Sequence, residues 1–179
     1  MTNQDIANPT IREYFAKHNL NLLLKDEERP WGGWYVYETG DNYDKKVMWV
    51  KPRNLLSLQY HGTTEHPSHA EQWTAITTMC VALGNKPVVG LSAAELAVEL
   101  ANVRVITIQP GDKIDIPAGY LHALCNPYDT DLYMLETRTS PSREDSNSRE
   151  NNIVRIYDQA QRGGVPQFPP ELYNRIFNL

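Results

Sequence analysis

The chain lacks three features that would assign it to common classes of protein. None of its apolar runs approaches the roughly 20 residues that cross a bilayer, and its polar opening residues do not resemble a secretion signal. Its only cysteines, Cys80 and Cys125, are therefore expected to be reduced core residues. Positive charge is not in excess, because 17 lysines and arginines face 22 aspartates and glutamates. We expect a cytoplasmic protein with no membrane partner and no nucleic-acid partner.

The remaining composition predicts a globular domain that is mainly β. A chain of 179 residues with 41% hydrophobic residues is long enough to bury a core. Short segments rich in β-branched and aromatic residues alternate with turn residues, which favours a sandwich or barrel of antiparallel strands. The predicted strands are Trp34–Glu38, Lys46–Val50, Leu55–Tyr60, Trp73–Leu83, Val103–Ile108, Lys113–Ile116, His122–Asn126 and Leu132–Thr137.

Three helices are predicted around these strands. Residues 9–19 have helical spacing after Pro9, and Ser92-Ala93-Ala94-Glu95 is a capping box that opens a helix ending at Ala101. Residues 171–177 predict a last short helix, and the polar stretch 139–151 predicts a loop.

One motif is specific enough to indicate a family. Gly111, Pro117, Gly119, His122 and Asn126 stand at fixed intervals along one segment. This spacing resembles the second signature of the cupin superfamily, whose histidine usually points into a small β-barrel and binds a metal. The resemblance implies that His122 is a metal ligand and that further ligands lie upstream.

Upstream, Gln59, His61 and Glu71 are candidates for these further ligands. Alternate residues of a strand share a face, so Gln59 and His61 point the same way. Imidazole and carboxylate ligands suit one divalent ion, either Zn, as the first choice, or Mn, Fe, Co or Ni. A lone histidine or glutamine on a strand is also often an ordinary polar residue. His66 and His69 lie in the intervening segment and are expected to face solvent, although either is able to replace a misassigned ligand.

The order of several short motifs resembles the type II phosphomannose isomerase domain. The motifs are Glu28-Arg29-Pro30-Trp31-Gly32, Val50-Lys51-Pro52, Leu56-Ser57-Leu58-Gln59-x-His61, Ala70-Glu71-x-Trp73, Pro117-Ala118-Gly119, His122, Asn126-Pro127, Leu135-Glu136 and Asn152–Asp158. The likeness implies a cupin (double-stranded β-helix or jelly-roll) barrel with short flanking helices and one inserted helix. The expected division is an N-terminal helical extension at 1–27, the barrel at 28–162, and a C-terminal tail at 163–179 that packs on the barrel.

The same resemblance implies a metal-dependent isomerase that interconverts mannose 6-phosphate and fructose 6-phosphate. Gln59, His61, Glu71 and His122 would be its metal ligands. No guanylyl transfer is expected, because too few residues precede Arg29 to form a nucleotidyltransferase half. The chain departs from the family pattern at two positions near Glu71. The family usually has an arginine two residues before the glutamate, where this chain has His69, and a histidine after it, where this chain has Gln72.

Glu136 is the candidate general base, with a structural residue at the barrel rim as the alternative. Arg155 is the first candidate for catalysis or for binding a phosphate, and the further substrate-binding candidates are Arg138, Lys113 and Tyr120. Trp31, Trp34 and Tyr120 either stack on a sugar or belong to the core. A homodimer is expected from the resemblance. The alternatives are a free-sugar isomerase, a cupin that binds a sugar or metabolite without catalysis, and another cupin enzyme, such as a dioxygenase or epimerase, that shares only the metal scaffold.

Overall fold

Two antiparallel sheets form most of the protein in the computed structural model, which describes residues 1–62, 69–140 and 152–178. The strands are β1 Leu24–Arg29, β2 Gly32–Thr39, β3 Tyr43–Val50, β4 Asn54–Leu55, β5 Leu58–His61, β6 Ala70–Ala75, β7 Met79–Pro87, β8 Arg104–Ile108, β9 Lys113–Ile116, β10 Tyr120–Asn126, β11 Leu132–Thr139 and β12 Ile153–Tyr157. The first sheet has the order β1-β2-β3-β11-β6-β9. The second has the order β12-β5-β10-β7-β8, with β4 paired to β10. This arrangement confirms the predicted mainly β barrel.

The core of the barrel lies between the two sheets and is built by alternation along each strand. Met48 and Met134 point inward from the first sheet, and Val81 and Leu124 meet them from the second. Their neighbours in the sequence point outward, because successive side chains of a strand face opposite sides of the sheet. Apolar side chains therefore fill one part of the barrel, while the polar inward residues of the same strands lie together elsewhere in it.

Helices cover the outer faces of both sheets. Helix α1, Pro9–Lys17, packs Ile11 and Phe15 against the first sheet. Helix α2, Ala93–Ala101, is inserted between β7 and β8 and begins at a capping box formed by Ser92 and Glu95, as predicted. Helix α3, Pro170–Phe177, buries Leu172 and Ile176 on the outer face of the second sheet. Among the described residues, no helix is both long and apolar enough to cross a membrane.

Two observed strands, β1 and β12, were not predicted, and two of the predicted strands are each divided in the structure. The predicted strand Trp73–Leu83 is broken after Ala75, because the amides of Ile76 and Thr77 donate to the Tyr133 carbonyl rather than continuing the ladder. The predicted strand Leu55–Tyr60 is likewise two short strands, β4 and β5. Of the predicted loop at 139–151, residues 141–151 lie outside the described residues.

The two cysteines lie opposite each other on the outer face of the second sheet. Cys80 on β7 pairs in register with Cys125 on β10, and both are fully buried and free, as expected. Burial in apolar surroundings raises the pKa of the Cys125 thiol well above its ordinary value. Both residues therefore contribute to packing between the second sheet and helix α3.

Candidate metal centre

Polar and charged side chains line a cavity between the two sheets. The cavity has a volume of about 120 Å³. Strands β1, β2, β3, β6 and β11 line it from the first sheet, and β5, β10 and β12 line it from the second. The candidate site is therefore carried by strands rather than by surface loops, which gives its side chains fixed positions.

Three of the predicted ligands come together in this cavity. His61 on β5, Glu71 on β6 and His122 on β10 place their donor atoms within 4.8 Å of one another. The Nε2 atom of His61 lies 3.1 Å from Oε1 of Glu71, and Nε2 of His122 lies 3.8 Å from Oε2. Each of the three strands is hydrogen-bonded on both sides, and all three side chains are buried. The group is held rigidly and away from bulk water.

The types of the three candidate ligands, and the lone pair on Nε2 of His122, suit a divalent transition metal. The Nδ1 atom of His122 lies 2.9 Å from the Tyr120 carbonyl oxygen, which assigns the proton to Nδ1 and the lone pair to Nε2. That buried Nε2 has no hydrogen-bond partner among the described residues. A backbone carbonyl that orients a histidine in this way is typical of metal-ligating histidines. Two imidazoles and one carboxylate leave coordination positions open for solvent or substrate.

The protonation states of these groups also suit a cation. Burial lowers the pKa of the His61 imidazole to about 3 and lowers that of His122, so both rings are neutral at neutral pH. Burial opposes ionisation of Glu71, but contacts from His61 and His69 outweigh it and bring the pKa of this carboxyl well below its ordinary value. The cluster therefore offers two neutral nitrogens and a carboxylate.

Burial of neutral His61 predicts that the metal-free protein loses stability in mild acid. The imidazole pKa is 6.5 for an unperturbed histidine and about 3 in the folded state, so the unfolded chain takes up the proton first as the pH falls. The free energy of unfolding then decreases below about pH 6.5, by up to ~1.4 kcal/mol per pH unit for one histidine. Urea unfolding of EDTA-treated protein between about pH 7 and pH 5 measures this slope, to which buried His122 adds and Glu136, with its raised pKa, contributes with the opposite sign.

Two variants separate this effect from a general sensitivity to acid. His61→Gln removes the buried imidazole and is expected to flatten the dependence on pH. His18→Asn changes an exposed histidine at the end of α1 and is expected to keep the wild-type slope. An unchanged slope in His61→Gln would show that burial of this ring does not cause the acid sensitivity.

His69 does not face solvent, contrary to the prediction. It is 3% exposed, its Nε2 lies 3.3 Å from Glu71 Oε1, and its ring lies 3.8 Å from the ring of His61. The indole of Trp73 donates to the other Glu71 oxygen at 2.9 Å. The loop interpretation failed because His69 is two residues before Glu71 and enters the barrel with β6. His66, the other histidine of this segment, lies outside the described residues.

Gln59 lines the same cavity and is oriented by a neighbouring hydroxyl. It stands in register between His122 on β10 and Arg155 on β12. Ser57 Oγ donates to Gln59 Oε1 at 2.6 Å. An amide oxygen has two lone pairs, so this bond leaves one available to a metal. The structure thus places Gln59 beside the three ligands, as alternation along β5 predicted.

Two ion pairs lie across β3 and β11 in the first sheet, and all of their residues but the partly exposed Lys46 are buried. Lys46 Nζ lies 2.6 Å from Glu136 Oε1, and Arg138 Nη2 lies 2.6 Å from Asp44 Oδ2. Burial first, and then the charge of Glu71, raise the pKa of Glu136 to about 7, although Lys46 opposes this. Burial disfavours the Lys46 ammonium, but the surrounding carboxylates outweigh it and raise its pKa. Glu136 is consequently a carboxyl that changes charge near neutral pH inside the cavity.

The remaining predicted residues divide between the cavity and other places. Arg155 on β12 lines the cavity, as do Trp31 and Trp34. Lys113 is exposed on the edge strand β9 and is not among the cavity-lining residues. Tyr120 packs half-buried against the barrel core and also does not line the cavity, although its carbonyl orients His122. The geometry therefore does not bring Lys113 or the Tyr120 ring to the site.

Several cavity residues were missed by sequence reasoning. Every second residue of β3 faces the cavity and core, so the strand pattern already places four side chains on one face: Asp44, Lys46, Met48 and Val50. What was missing was the pairing of β3 with β11, which brings together residues more than 90 positions apart. Arg162 was also missed, because it reaches Ser57 from the segment after β12, and Ser57 itself was missed although it is two residues before Gln59.

A two-sheet antiparallel barrel with a buried histidine–glutamate–histidine group inside is a cupin. The family model described as the C-terminal domain of mannose-6-phosphate isomerase matches residues 17–158. The chain belongs to this family. The match confirms the resemblance predicted from the ordered motifs.

Individual relatives agree with this assignment. A mannose-1-phosphate guanylyltransferase from Salmonella muenchen is 27% identical over 149 residues, which are 82% of this chain and 26% of that protein. The guanylyltransferase ManC from Salmonella typhimurium is 30% identical over 140 residues, or 78% of this chain and 24% of that protein. The chain spans about a quarter of the length of these curated relatives. The capsular polysaccharide assembling protein CapF from Staphylococcus aureus has a similar fold, with a TM-score of 0.52, 16% identity, and coverage of 75% of this chain and 34% of that one.

Proposed function

We propose that this cupin is a metal-dependent ketol-isomerase that interconverts mannose 6-phosphate and fructose 6-phosphate. One observation carries the proposal: the buried group of His61, Glu71 and His122 shares a cavity with buried Glu136 and its partner Lys46. Moving a carbonyl between adjacent carbons requires polarised oxygens and a group that moves a proton. Membership of the mannose-6-phosphate isomerase C-terminal family and relatives named for mannose 1-phosphate support a hexose phosphate as the substrate class.

The metal ligands in this proposal are His61, Glu71 and His122, with Gln59 as a fourth. A divalent ion held there, with Zn as the first choice, would act as a Lewis acid on the carbonyl and hydroxyl oxygens of the sugar. Ser57 orients Gln59, the Tyr120 carbonyl orients His122, and the indole of Trp73 holds Glu71. These hydrogen bonds restrict the rotation of the three ligand side chains, which lowers the entropic cost of ordering them when the ion binds.

Glu136 is the proposed general base. Its carboxylate removes the proton from C2 of the open-chain aldose and returns it to C1, while the hydroxyl proton at C2 moves to the oxygen at C1. A pKa of about 7 suits this role, because the group is then able both to accept and to release the proton near neutral pH. Lys46 donates to Glu136 and stays charged, so it stabilises the carboxylate between the two transfers.

A second candidate function is a cupin that binds a sugar phosphate without turning it over. His69 favours it, since this histidine stands where the resembled family usually has an arginine, and it contacts the metal-site carboxylate instead. Both candidates require the metal group and the cavity. They differ in whether a bound hexose phosphate changes chemically, so an assay of turnover distinguishes them.

A coupled assay for fructose 6-phosphate formed from mannose 6-phosphate tests the proposal. We expect turnover in metal-loaded protein, loss of turnover after EDTA treatment, and recovery when a divalent metal is restored. A metal-loaded, folded protein that binds mannose 6-phosphate but forms no product would replace the isomerase with the binding protein. Turnover of unphosphorylated mannose at the same rate would favour a free-sugar isomerase. The expected homodimer remains a proposal, and light scattering of the purified protein tests it.

A further inference from the structure

His69 is bonded differently from the two histidines of the candidate metal group. Nε2 of His61 and Nε2 of His122 form no hydrogen bond with any described residue, although the first lies 3.1 Å from Glu71 Oε1. Nε2 of His69, by contrast, forms a hydrogen bond with Glu71 Oε1 at 3.3 Å. A carboxylate oxygen only accepts, so His69 is the donor and its Nε2 carries the proton. His61 and His122 are thus able to offer a lone pair to an ion, whereas His69 presents an N–H.

Glu71 is held at both carboxylate oxygens by side chains of its own segment. His69, Glu71 and Trp73 are alternate residues at the beginning of β6, so they point to the same side of the sheet, and all three are buried. The His69 ring donates to Oε1, and the Trp73 indole donates to Oε2 at 2.9 Å. Each carboxylate oxygen has two lone pairs, so both bonds leave one lone pair per oxygen for an ion. The orientation of the carboxylate is therefore fixed without using up its capacity to bind.

The His69 ring also lies against a second candidate ligand. The centroids of the His69 and His61 rings are 3.8 Å apart, and their planes are inclined by 31°. His61 stands on β5 of the second sheet, whereas His69 enters the barrel with β6 of the first. One buried imidazole therefore restricts two candidate ligands that come from opposite sheets, the carboxylate of Glu71 and the ring of His61.

We propose that His69 is a positioning residue for the metal centre, which acts through Glu71 and His61 and does not itself bind the ion. This inference rests on the proposed metal site but not on the isomerase activity. The donor atoms within 4.8 Å of one another belong to His61, Glu71 and His122, and His69 is not part of that group. Side chains that orient metal ligands in this way typically contribute a factor of about 10 to 100 in metal affinity. The resembled family usually has an arginine at this position, so the role is particular to this chain.

The metal affinity of two variants separates the contribution of the N–H donor from that of the ring. His69→Gln places an amide N–H near the position of Nε2 but has no ring, whereas His69→Phe keeps a ring and has no donor. Isothermal titration of EDTA-treated protein with Co²⁺, one of the ions that the ligand set suits, measures the affinity. We expect the dissociation constant to rise about tenfold or more in His69→Phe and by a smaller factor in His69→Gln. The visible absorption of bound Co²⁺ is expected to be unchanged in His69→Gln, because the ligands remain the same.

His18 provides the matched control for these variants. It is an exposed histidine at the end of α1 whose ring centroid lies 4.2 Å from that of Tyr14, at the same inclination of 31°. His18→Gln and His18→Phe are expected to bind Co²⁺ with wild-type affinity. Urea unfolding of the metal-free proteins completes the comparison, since a residue with a merely structural role lowers stability and leaves the metal affinity unchanged.

The outcomes separate this inference from the proposed isomerase activity. Weaker Co²⁺ binding in the His69 variants would support it even if the protein forms no fructose 6-phosphate. Wild-type affinity in folded His69→Phe would overturn it, and an altered Co²⁺ spectrum in His69→Gln would overturn it by identifying His69 as a ligand. A wild type that binds no Co²⁺ would overturn it together with the metal site. Should His69→Phe fail to fold, His69→Asn takes its place, because its shorter amide does not reach Glu71, and wild-type affinity there would equally overturn the inference.

Discussion

The His122→Ala variant is expected to lose both its metal and its activity. His122 offers a buried Nε2 that has no hydrogen-bond partner in the described part of the chain, its ring is oriented by the Tyr120 carbonyl, and alanine supplies no donor in its place. Metal content after dialysis is expected to fall from about one ion per chain to near zero. Metal that binds only the folded protein at a hundred times its dissociation constant adds about 2.7 kcal/mol of stability, so this increment should also disappear. Elemental analysis and unfolding with and without metal measure both effects.

His18→Ala is the matched control for this prediction. It removes an exposed imidazole at the end of α1 and is expected to leave the metal content, the stability increment and the activity unchanged. Stoichiometric metal in His122→Ala would contradict the ligand assignment. Loss of metal in both variants would mean that the effect does not arise at the cluster of His61, Glu71 and His122.

The Glu136→Gln variant is expected to keep its metal and lose turnover. Glutamine has the same shape as glutamate but cannot accept the proton, and removing a general base typically costs a factor of about 10² to 10⁴ in rate. In the metal-loaded wild type, kcat/KM is expected to rise with pH with a midpoint between the ordinary carboxyl value of 4.5 and about 7, because burial raises the pKa of Glu136 and its carboxylate is the active form. Binding of a cation at Glu71 removes part of that shift and moves the rise to lower pH.

Glu38 provides a matched control for Glu136. It forms the same kind of cross-strand pair, with Lys45 Nζ at 2.9 Å, on neighbouring strands of the same sheet but outside the cavity lining. Glu38→Gln is expected to keep wild-type kinetics. A fully active Glu136→Gln enzyme would remove Glu136 from the mechanism. A Glu136→Gln protein without metal would instead identify it as a residue that supports the metal site.

Most of the fold was predictable because local pattern and tertiary structure agree. The capping box at Ser92 begins a helix where predicted, and the spacing from Gly111 to His122 marks strands β9 and β10. The break at Ile76 was not predictable, since its cause is the Tyr133 carbonyl of a distant strand. Without knowledge of this contact, the apolar residues before and after Ile76 predict a single strand.

The candidate site was predictable only where single residues carry the signal. His61, Glu71 and His122 were found because each lies in a motif that resembles the family. Lys46 was not found, because its place in the site depends on its pairing with Glu136, its register partner on β11. His69 was misplaced because a segment with proline, serine and threonine reads as solvent-exposed, whereas burial follows from its proximity to the start of β6.

The sheet order separates parts of the site that tolerate change from parts that do not. The candidate ligands His61, Glu71 and His122 stand on strands bonded to two neighbours, whereas Arg29 and Arg155 stand on β1 and β12, each at the edge of a sheet. Edge strands open at lower free energy than strands bonded on both sides, and they accept insertions with less damage to the ladder. A library of variants restricted to β1 and β12 would therefore change which ligand enters the barrel and leave the candidate metal site unchanged. Changes of this kind are a route by which one ancestral barrel gives rise to proteins with different substrates.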